Sequence, residues 1–322
     1  MNNILLPEHS IFTPHYPVLI SEIIQNLKPE NNKKYLDCTF GAGGYTKAIL
    51  ESSDCFVTAI DQDPNVLKYA KKLQDQDIYK KRFEFIEGNF ANTKELLSGN
   101  QYDGIVLDLG VSSMQLDEGE RGFSFMRDGN LDMRMNNTKG FSAADFIANV
   151  SETELADIIY KYGEEVQSRQ IAKMIVQERE KEHIISTLKL AEIIRSAMHY
   201  RRAKIDPATK TFQAIRIYIN KELENLEHFL NNVNALLKPR AKILIVSFHS
   251  LEDSIVKSFF KEHSAEKIAR SKYSQDPENI DATKWLKIIK KKPILPTRDE
   301  IAKNPRSRSA RLRVAEKIGV CV

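Results

Sequence analysis

Asp37 leads directly into the glycine turn Gly41-Ala-Gly43-Gly44, and Asp61 closes the apolar run Phe56–Ile60. A strand, a glycine turn and a following helix make a place for an electronegative or nucleotide-like ligand. Glycines let the backbone approach closely, and the free amides of the helix N-terminus point at what is bound. An acidic residue at the end of the next strand supplies acceptors for ribose hydroxyls. The spacing is the one expected if adjacent strands deliver Asp37 and Asp61 to one crevice. Taken alone, the turn fits either S-adenosylmethionine or a dinucleotide. The dinucleotide fingerprint G-x-G-x-x-G is not met, because Thr46 stands where its third glycine belongs.

The elements that must position these residues alternate. Tyr35–Cys38, Phe56–Ile60, Phe83–Ile86 and the wholly apolar Gly104–Leu107 read as strands, and Val66, Ala70 and Leu73 repeat at helical spacing after Pro64. Such alternation predicts parallel βαβ units and a doubly wound sheet, hence an α/β fold. From about Gln115 to Gly140 neither period is visible. Helices are predicted next: one capped by Ser151-x-x-Glu154 and stopped at Gly163, then 168–180 and 187–198. The stripe Phe212, Ile215, Ile219, Leu223, Leu226, Leu230, Val233, Leu237 predicts one or two helices packing a continuous face. The sheet resumes with Lys242–Val246, a helix around Ile255–Phe260 and a closing pair near Ile288–Leu295 and Leu312–Ala315. We therefore expect a Rossmann-like domain over 1–114 and 212–322, interrupted by a mainly helical insert over 115–211.

At 322 residues, 42% hydrophobic and 29% charged, the composition is that of a globular protein. No apolar run approaches a bilayer span and no secretion signal opens the chain. The three cysteines, Cys38, Cys55 and Cys321, form no metal-ligand spacing. A reducing, cytoplasmic setting without membrane or structural zinc is the expectation. The net charge of +4 is unremarkable, but Lys284–Lys317 holds twelve Lys/Arg against three acidic residues. Arg195, Arg201, Arg202, Lys204 and Lys210 form a second basic cluster. Each run alone reads as solvated surface; two together point toward a polyanion such as nucleic acid.

Several longer segments carry a resemblance. HYPVLISEII from His15, DCTFGAGGYT from Asp37, AIDQDP from Ala59, GIVLDLGVSSMQLDEGERGFSFMRDGNLDMRMN from Gly104, TFQAIRIYINKELE from Thr211, SFHSLED from Ser247 and NPRSRSARLRVAE from Asn304 stand here in that order. They closely resemble the RsmH (MraW) family, which methylates a cytidine of 16S ribosomal RNA at its exocyclic N4. The match runs nearly end to end and is loose over 264–285 and 292–295. It implies a class I methyltransferase sheet with an inserted helical domain, S-adenosylmethionine as cofactor, S-adenosylhomocysteine as product, and ribosomal RNA within the small subunit as partner. By position the cofactor site falls on Gly43, Gly44, Tyr45, Asp61, Phe90, Asp108 and Gln115. The family usually has histidine where this chain has Tyr45; a backbone contact is indifferent to that change, a ring contact is not.

Other amino methyltransferases place an acidic or amide residue, two prolines and an aromatic at the end of the fourth strand. Here that place reads Asp108-Leu-Gly-Val-Ser-Ser, so Asp108 is either a cofactor contact or the amine acceptor. His249, after the fifth strand, either positions the base or is a hydrogen-bonded structural histidine. Phe123 and Phe125 either stack a flipped base or anchor their loop. Arg306 and Arg308, between the last two strands, are candidates for phosphate contact alongside Arg201, Arg202 and Lys204. Two other functions are weighed. A dinucleotide dehydrogenase lacks the third glycine. A non-catalytic RNA-binding assembly factor would not need Gly43, Gly44, Asp61 and Asp108.

Overall fold

The computed structural model describes residues 16–97, 99–198, 206–265 and 283–319. Helix α1 (Ile20–Leu27) precedes β1 (Lys34–Asp37), and α2 (Gly44–Ser52) leads to β2 (Phe56–Asp61). Then follow α3 (Leu67–Gln74), β3 (Phe83–Glu87), the short α4 (Thr93–Leu96) and β4 (Tyr102–Asp108). Helices occupy the middle of the chain: α5 (Ser113–Asp117), α6 (Ala143–Asn149), α7 (Glu152–Gly163), α8 (Ser168–Arg179), α9 (Thr187–Ala197), α10 (Ala208–Asn220) and α11 (Glu222–Leu236). The chain closes with β5 (Leu237–Ser247), α12 (Ser250–Glu262), β6 (Leu286–Ile288), α13 (Arg298–Lys303) and β7 (Arg311–Lys317).

The seven strands form one sheet in the order β3-β2-β1-β4-β5-β7-β6. The first five run parallel, and β7 is antiparallel to both β5 and β6. This is the doubly wound, mainly parallel sheet expected from the alternation. The strand order reverses between β1 and β4, and a doubly wound sheet opens its ligand crevice at the carboxyl ends of such strands. In register, Asp37 pairs with Ala59 and Val106, Asp61 with Glu87, and Asp108 with Val246. Asp61, Asp108 and the Ser247 turn therefore share one edge.

Successive residues of a strand face opposite sides of its sheet, and two apolar clusters follow from that. Val106, Leu244 and Val314 pack with Ile23 of α1 and Ile49 of α2 on one face. Ile105, Leu107 and Ile243 pack with Phe229 and Val233 of α11 and Phe260 of α12 on the other. β4 is buried on both faces, which is why its sequence shows no alternation. A third cluster, from Phe123 to Ile215, is built from helices α6 to α10 and the loop before them. Among the described residues no strand of the sheet comes from 109–236.

The stripe from Phe212 to Leu237 does not pack one continuous face. Lys221 takes the left-handed conformation (φ 50°) and separates α10 from α11. Phe212 and Ile215 then join the helical cluster, while Leu226, Phe229, Leu230 and Val233 join the sheet. One sequence period thus serves two cores, and the helical cluster reaches past residue 211. At Ser151 the hydroxyl caps the Glu154 amide of α7, which ends at Gly163 as expected. Two further capping boxes, Ser112 with Gln115 and Ser142 with Asp145, start α5 and α6 where no helix was predicted.

Candidate active site

The glycine turn is held from beneath by Asp37. Its side chain is fully buried; Oδ2 accepts the Thr46 hydroxyl at 2.7 Å and Oδ1 the Thr39 amide at 3.2 Å. Burial outweighs these bonds and pushes its pKa up to about 6. Asp37 therefore ties the end of β1 to the start of α2 and does not line the crevice, contrary to the expectation of two carboxylates facing one ligand. Gly41 (φ 54°) and Gly43 (φ 81°) take left-handed conformations that a side chain would strain. At Gly44 a Cβ would come within 2.3 Å of Pro17 Cγ, so only glycine lets the Tyr16–Val18 segment close against the turn.

A cavity of about 280 Å³ opens above this turn. Its walls come from Gly41, Gly44 and Tyr45, from Asp61, Gln62 and Asp63, from Phe90, from the segment Asp108–Leu116, and from Arg216, Glu222, Phe248 and Glu252. Asp61 Oδ2 accepts the Gly41 amide at 2.7 Å and Oδ1 the Asp63 amide at 2.9 Å. Each oxygen keeps a lone pair for a hydroxyl in the cavity. Burial pushes Asp61 up to about 6, with the two amides pulling the other way. Hydroxyl donors favour the ionised carboxylate, so a ribose-bearing ligand should bind about tenfold more weakly at pH 5 than at pH 7. Asp61→Asn should flatten that profile in calorimetry. A parent profile already flat across this range would remove Asp61 from the ligand site.

Next to Asp61 lies a buried junction. Asp63 is 3% exposed and receives Arg121 Nη1 at 2.8 Å and Gln115 Nε2 at 2.8 Å. Arg121 also donates from Nη2 to the carbonyls of Arg134 and Met135. The Asn220 amide clamps the same loop, accepting the Met135 amide and donating to the Met133 carbonyl, both at 2.7 Å. These bonds fix the helical region against the carboxyl edge of the sheet.

Asp108, half-buried at the end of β4, lines the cavity. Its Oδ1 has no hydrogen-bond partner among the described residues. Burial, then Asp37, then Glu252 hold its pKa well above the usual carboxylate range, opposed by the Tyr45 hydroxyl beside it. Tyr45 is itself buried and donates to the Val18 carbonyl at 2.5 Å. Beyond Asp108, Arg216 donates from Nε and Nη2 to the two oxygens of Glu222 at 2.8 and 2.9 Å. Glu252 accepts the Phe248 amide at 2.8 Å and stands 3.2 Å from His249 Nε2. Glu222, His249 and Glu252 offer ligand atoms all within 4.8 Å of one another. Both oxygens of Glu222 are already held by a guanidinium, so a metal ion there would face that positive charge.

Residues 12–318 match the MraW methylase family over nearly the whole chain. The chain belongs to that family. It is 58% identical over 304 residues to ribosomal RNA small subunit methyltransferase H of Rickettsia akari, covering 94% of this chain and 98% of that protein. The corresponding proteins of Rickettsia canadensis and Rickettsia bellii are 59% and 56% identical, with 94% and 95% of this chain covered and 98% and 99% of theirs.

Of the family positions read from the sequence, Gly44, Tyr45, Asp61, Phe90, Asp108 and Gln115 line the cavity, and Gly43 shapes the turn behind it. Gln115 donates from Nε2 to Asp63 and accepts at Oε1 the amide of Ser112, whose hydroxyl caps α5. His249 does not line the cavity; it caps α12 and packs against Glu252, with 8% of its side chain exposed. That favours the structural reading over base positioning. Phe123 is buried in the helical core, and Phe125 meets Phe212 edge-on at 4.8 Å with Arg195 over its ring. These contacts anchor the loop that carries both rings. Arg306 reaches the cavity but is ion-paired with Asp117 at 2.6 Å, while Arg308 is exposed with no ion pair among the described residues. Arg201, Arg202 and Lys204 lie outside the described residues. Asp63, Arg121, Arg216, Glu222 and Glu252 went unread as site residues. The signal available was that all lie inside the segments that carry the resemblance.

Proposed function

We propose that this chain transfers the methyl group of S-adenosylmethionine to the exocyclic N4 of a cytidine in 16S ribosomal RNA. The observation that carries the reading is one continuous cavity running from the glycine turn and Asp61 to Asp108, which lines it and whose buried Oδ1 is left without a hydrogen-bond partner among the described residues. When bound, S-adenosylmethionine supplies an electrophilic methyl group on a sulfonium. The residues present fit it. The turn at Gly43, Gly44 and Tyr45 offers close backbone approach, Asp61 offers acceptors for the ribose, and Phe90 gives an apolar wall for the adenine.

The amine of cytosine is a poor nucleophile because its lone pair is delocalised into the ring. The chain must hold that nitrogen in line and accept hydrogen bonds from its protons as the bond forms. Asp108 is the group at the end of β4 with an acceptor oxygen to spare. Burial and the neighbouring carboxylates raise its pKa, and a cation bound beside it would favour the ionised, accepting form.

RNA approaches the same edge of the sheet. We assign phosphate contact to Arg308 and to the basic cluster Arg201, Arg202 and Lys204, whereas Arg306 is committed to Asp117. Arg308→Ala should lower the salt slope of subunit binding by about one unit without altering cofactor affinity. An unchanged slope in filter binding would make Arg308 plain surface. No helix among the described residues is long and apolar enough to cross a membrane, and an enzyme of ribosomal RNA would work in the cytoplasm on the small subunit. Small-subunit RNA from cells lacking the gene should lack one methyl group on a cytidine, and the restored gene should return it. An RNA with all its methyl groups in place would refute the reading.

A further inference from the structure

Arg216 is a largely buried cation that no step so far requires. It comes from the last turns of α10, with 16% of its side chain exposed, and it borders the cavity. A Cβ built on Gly110, two residues past Asp108, would lie 3.9 Å from Arg216 Nη2 and 3.9 Å from Phe248 Cδ2. The guanidinium and the phenyl ring therefore overhang the same turn. A guanidinium carries five N–H donors. Two of them go to Glu222, which is 7% exposed, and that bidentate pair fixes the guanidinium plane. Among the described residues Nη1 makes no hydrogen bond, and it is not among the buried atoms left without a partner. It therefore keeps its donors available to the cavity. Burial pulls the Arg216 pKa down, but Glu222 and then Glu252 more than offset it, so the guanidinium stays charged like any arginine.

We propose that Arg216 selects the acceptor base: its unspent N–H groups donate to the O2 and N3 acceptors of cytosine, while Phe248 covers the ring and N4 turns toward Asp108. The inference rests on the methyl-transfer reading above and names how that site recognises its base. Cytosine presents two adjacent acceptors on this edge beside the amine. Uracil presents an N3–H donor instead, which would meet the guanidinium donor to donor and leave both unpaired in a buried place. Glu222 is a positioning residue for Arg216, and its charge also offsets the cost of burying the guanidinium.

The test pairs a change in the enzyme with a change in the base. Small-subunit particles are reconstituted with RNA carrying cytidine or 3-deazacytidine at the methylated position. The analogue keeps the amine and loses the N3 acceptor. The parent enzyme should methylate the analogue about 10²-fold less efficiently in kcat/KM. Arg216→Met leaves Glu222 buried without its partner, so Arg216→Met combined with Glu222→Gln serves as the second variant. Binding of S-adenosylmethionine within threefold of the parent shows that a variant is folded. Either variant should lose about 10²-fold on cytidine and should no longer distinguish the two bases. A variant that keeps the parent's discrimination, or that methylates cytidine within threefold of the parent, overturns the inference alone. A parent enzyme that methylates neither RNA refutes the methyl-transfer reading and this inference together.

Discussion

Asp108→Asn lowers kcat for methyl transfer by about 10²–10⁴-fold, the range over which a positioned proton acceptor contributes. Affinity for S-adenosylmethionine should change by less than about tenfold, because the glycine turn and Asp61 are untouched. The two parameters separate the roles left open for Asp108. An amine acceptor shows in kcat, whereas a cofactor contact shows in the dissociation constant. The variant should also be no less stable than the parent, and this follows from the sign of the pKa shift. Burial, Asp37 and Glu252 raise the folded pKa of Asp108 above its unfolded value. The folded protein then holds the proton more tightly, and stability from this group is lost as pH rises through the folded pKa. Asparagine carries no such charge, so urea unfolding at pH 8 should find the variant equal or more stable. An inactive variant that is also markedly destabilised would make Asp108 a structural residue.

Arg121→Met should be the most destabilising single change near the site. Arg121 is 6% exposed and Asp63 3% exposed, and removing one member of a buried pair leaves the other charge without compensation. The cost expected is about 3–5 kcal/mol. The same substitution releases the Arg134 and Met135 carbonyls that Arg121 holds, and with them the loop that Asn220 clamps to α10. Cofactor binding should weaken as well, because Asp63 and Met135 both border the cavity. Denaturant unfolding of parent and variant measures the loss. A difference below about 1 kcal/mol would show that Asp63 reaches solvent or another donor once Arg121 is gone, and the junction would lose its structural importance.

What the sequence reveals and what it hides divide along a physical line. The parallel strands were legible because an apolar run between turn signals has few other outcomes, and the glycine turn because Gly41 and Gly43 are needed where φ is positive. Asp61 was legible from its place at a strand end. Asp37 looked equivalent and is not: whether a carboxylate faces a ligand or a Thr46 hydroxyl depends on a rotamer, and no spacing encodes that. The stretch from Gln115 to Gly140 hid its structure because tertiary contacts shape it. At Gly129 a Cβ would lie 2.1 Å from the Gly119 carbonyl oxygen, and at Gly122 one would lie 2.4 Å from that of Asn130. This loop folds on itself through backbone approach that leaves no periodic trace. The capping boxes at Ser112 and Ser142 were present as short signals but lack the long apolar stripe that would have announced their helices. The ion pair Arg121–Asp63 joins residues that sequence order keeps apart, and Arg216–Glu222 forms only because the chain turns at Lys221 between α10 and α11.

The most direct measurement incubates the purified protein with small ribosomal subunits and S-adenosylmethionine labelled in its methyl group. The RNA is then digested to nucleosides and resolved by mass spectrometry. The account predicts that the label appears in a single nucleoside, N4-methylcytidine, and that Asp108→Asn slows its appearance by about 10²–10⁴-fold while still binding the cofactor. Label in a different nucleoside, or none with a parent protein that binds S-adenosylmethionine, would contradict it.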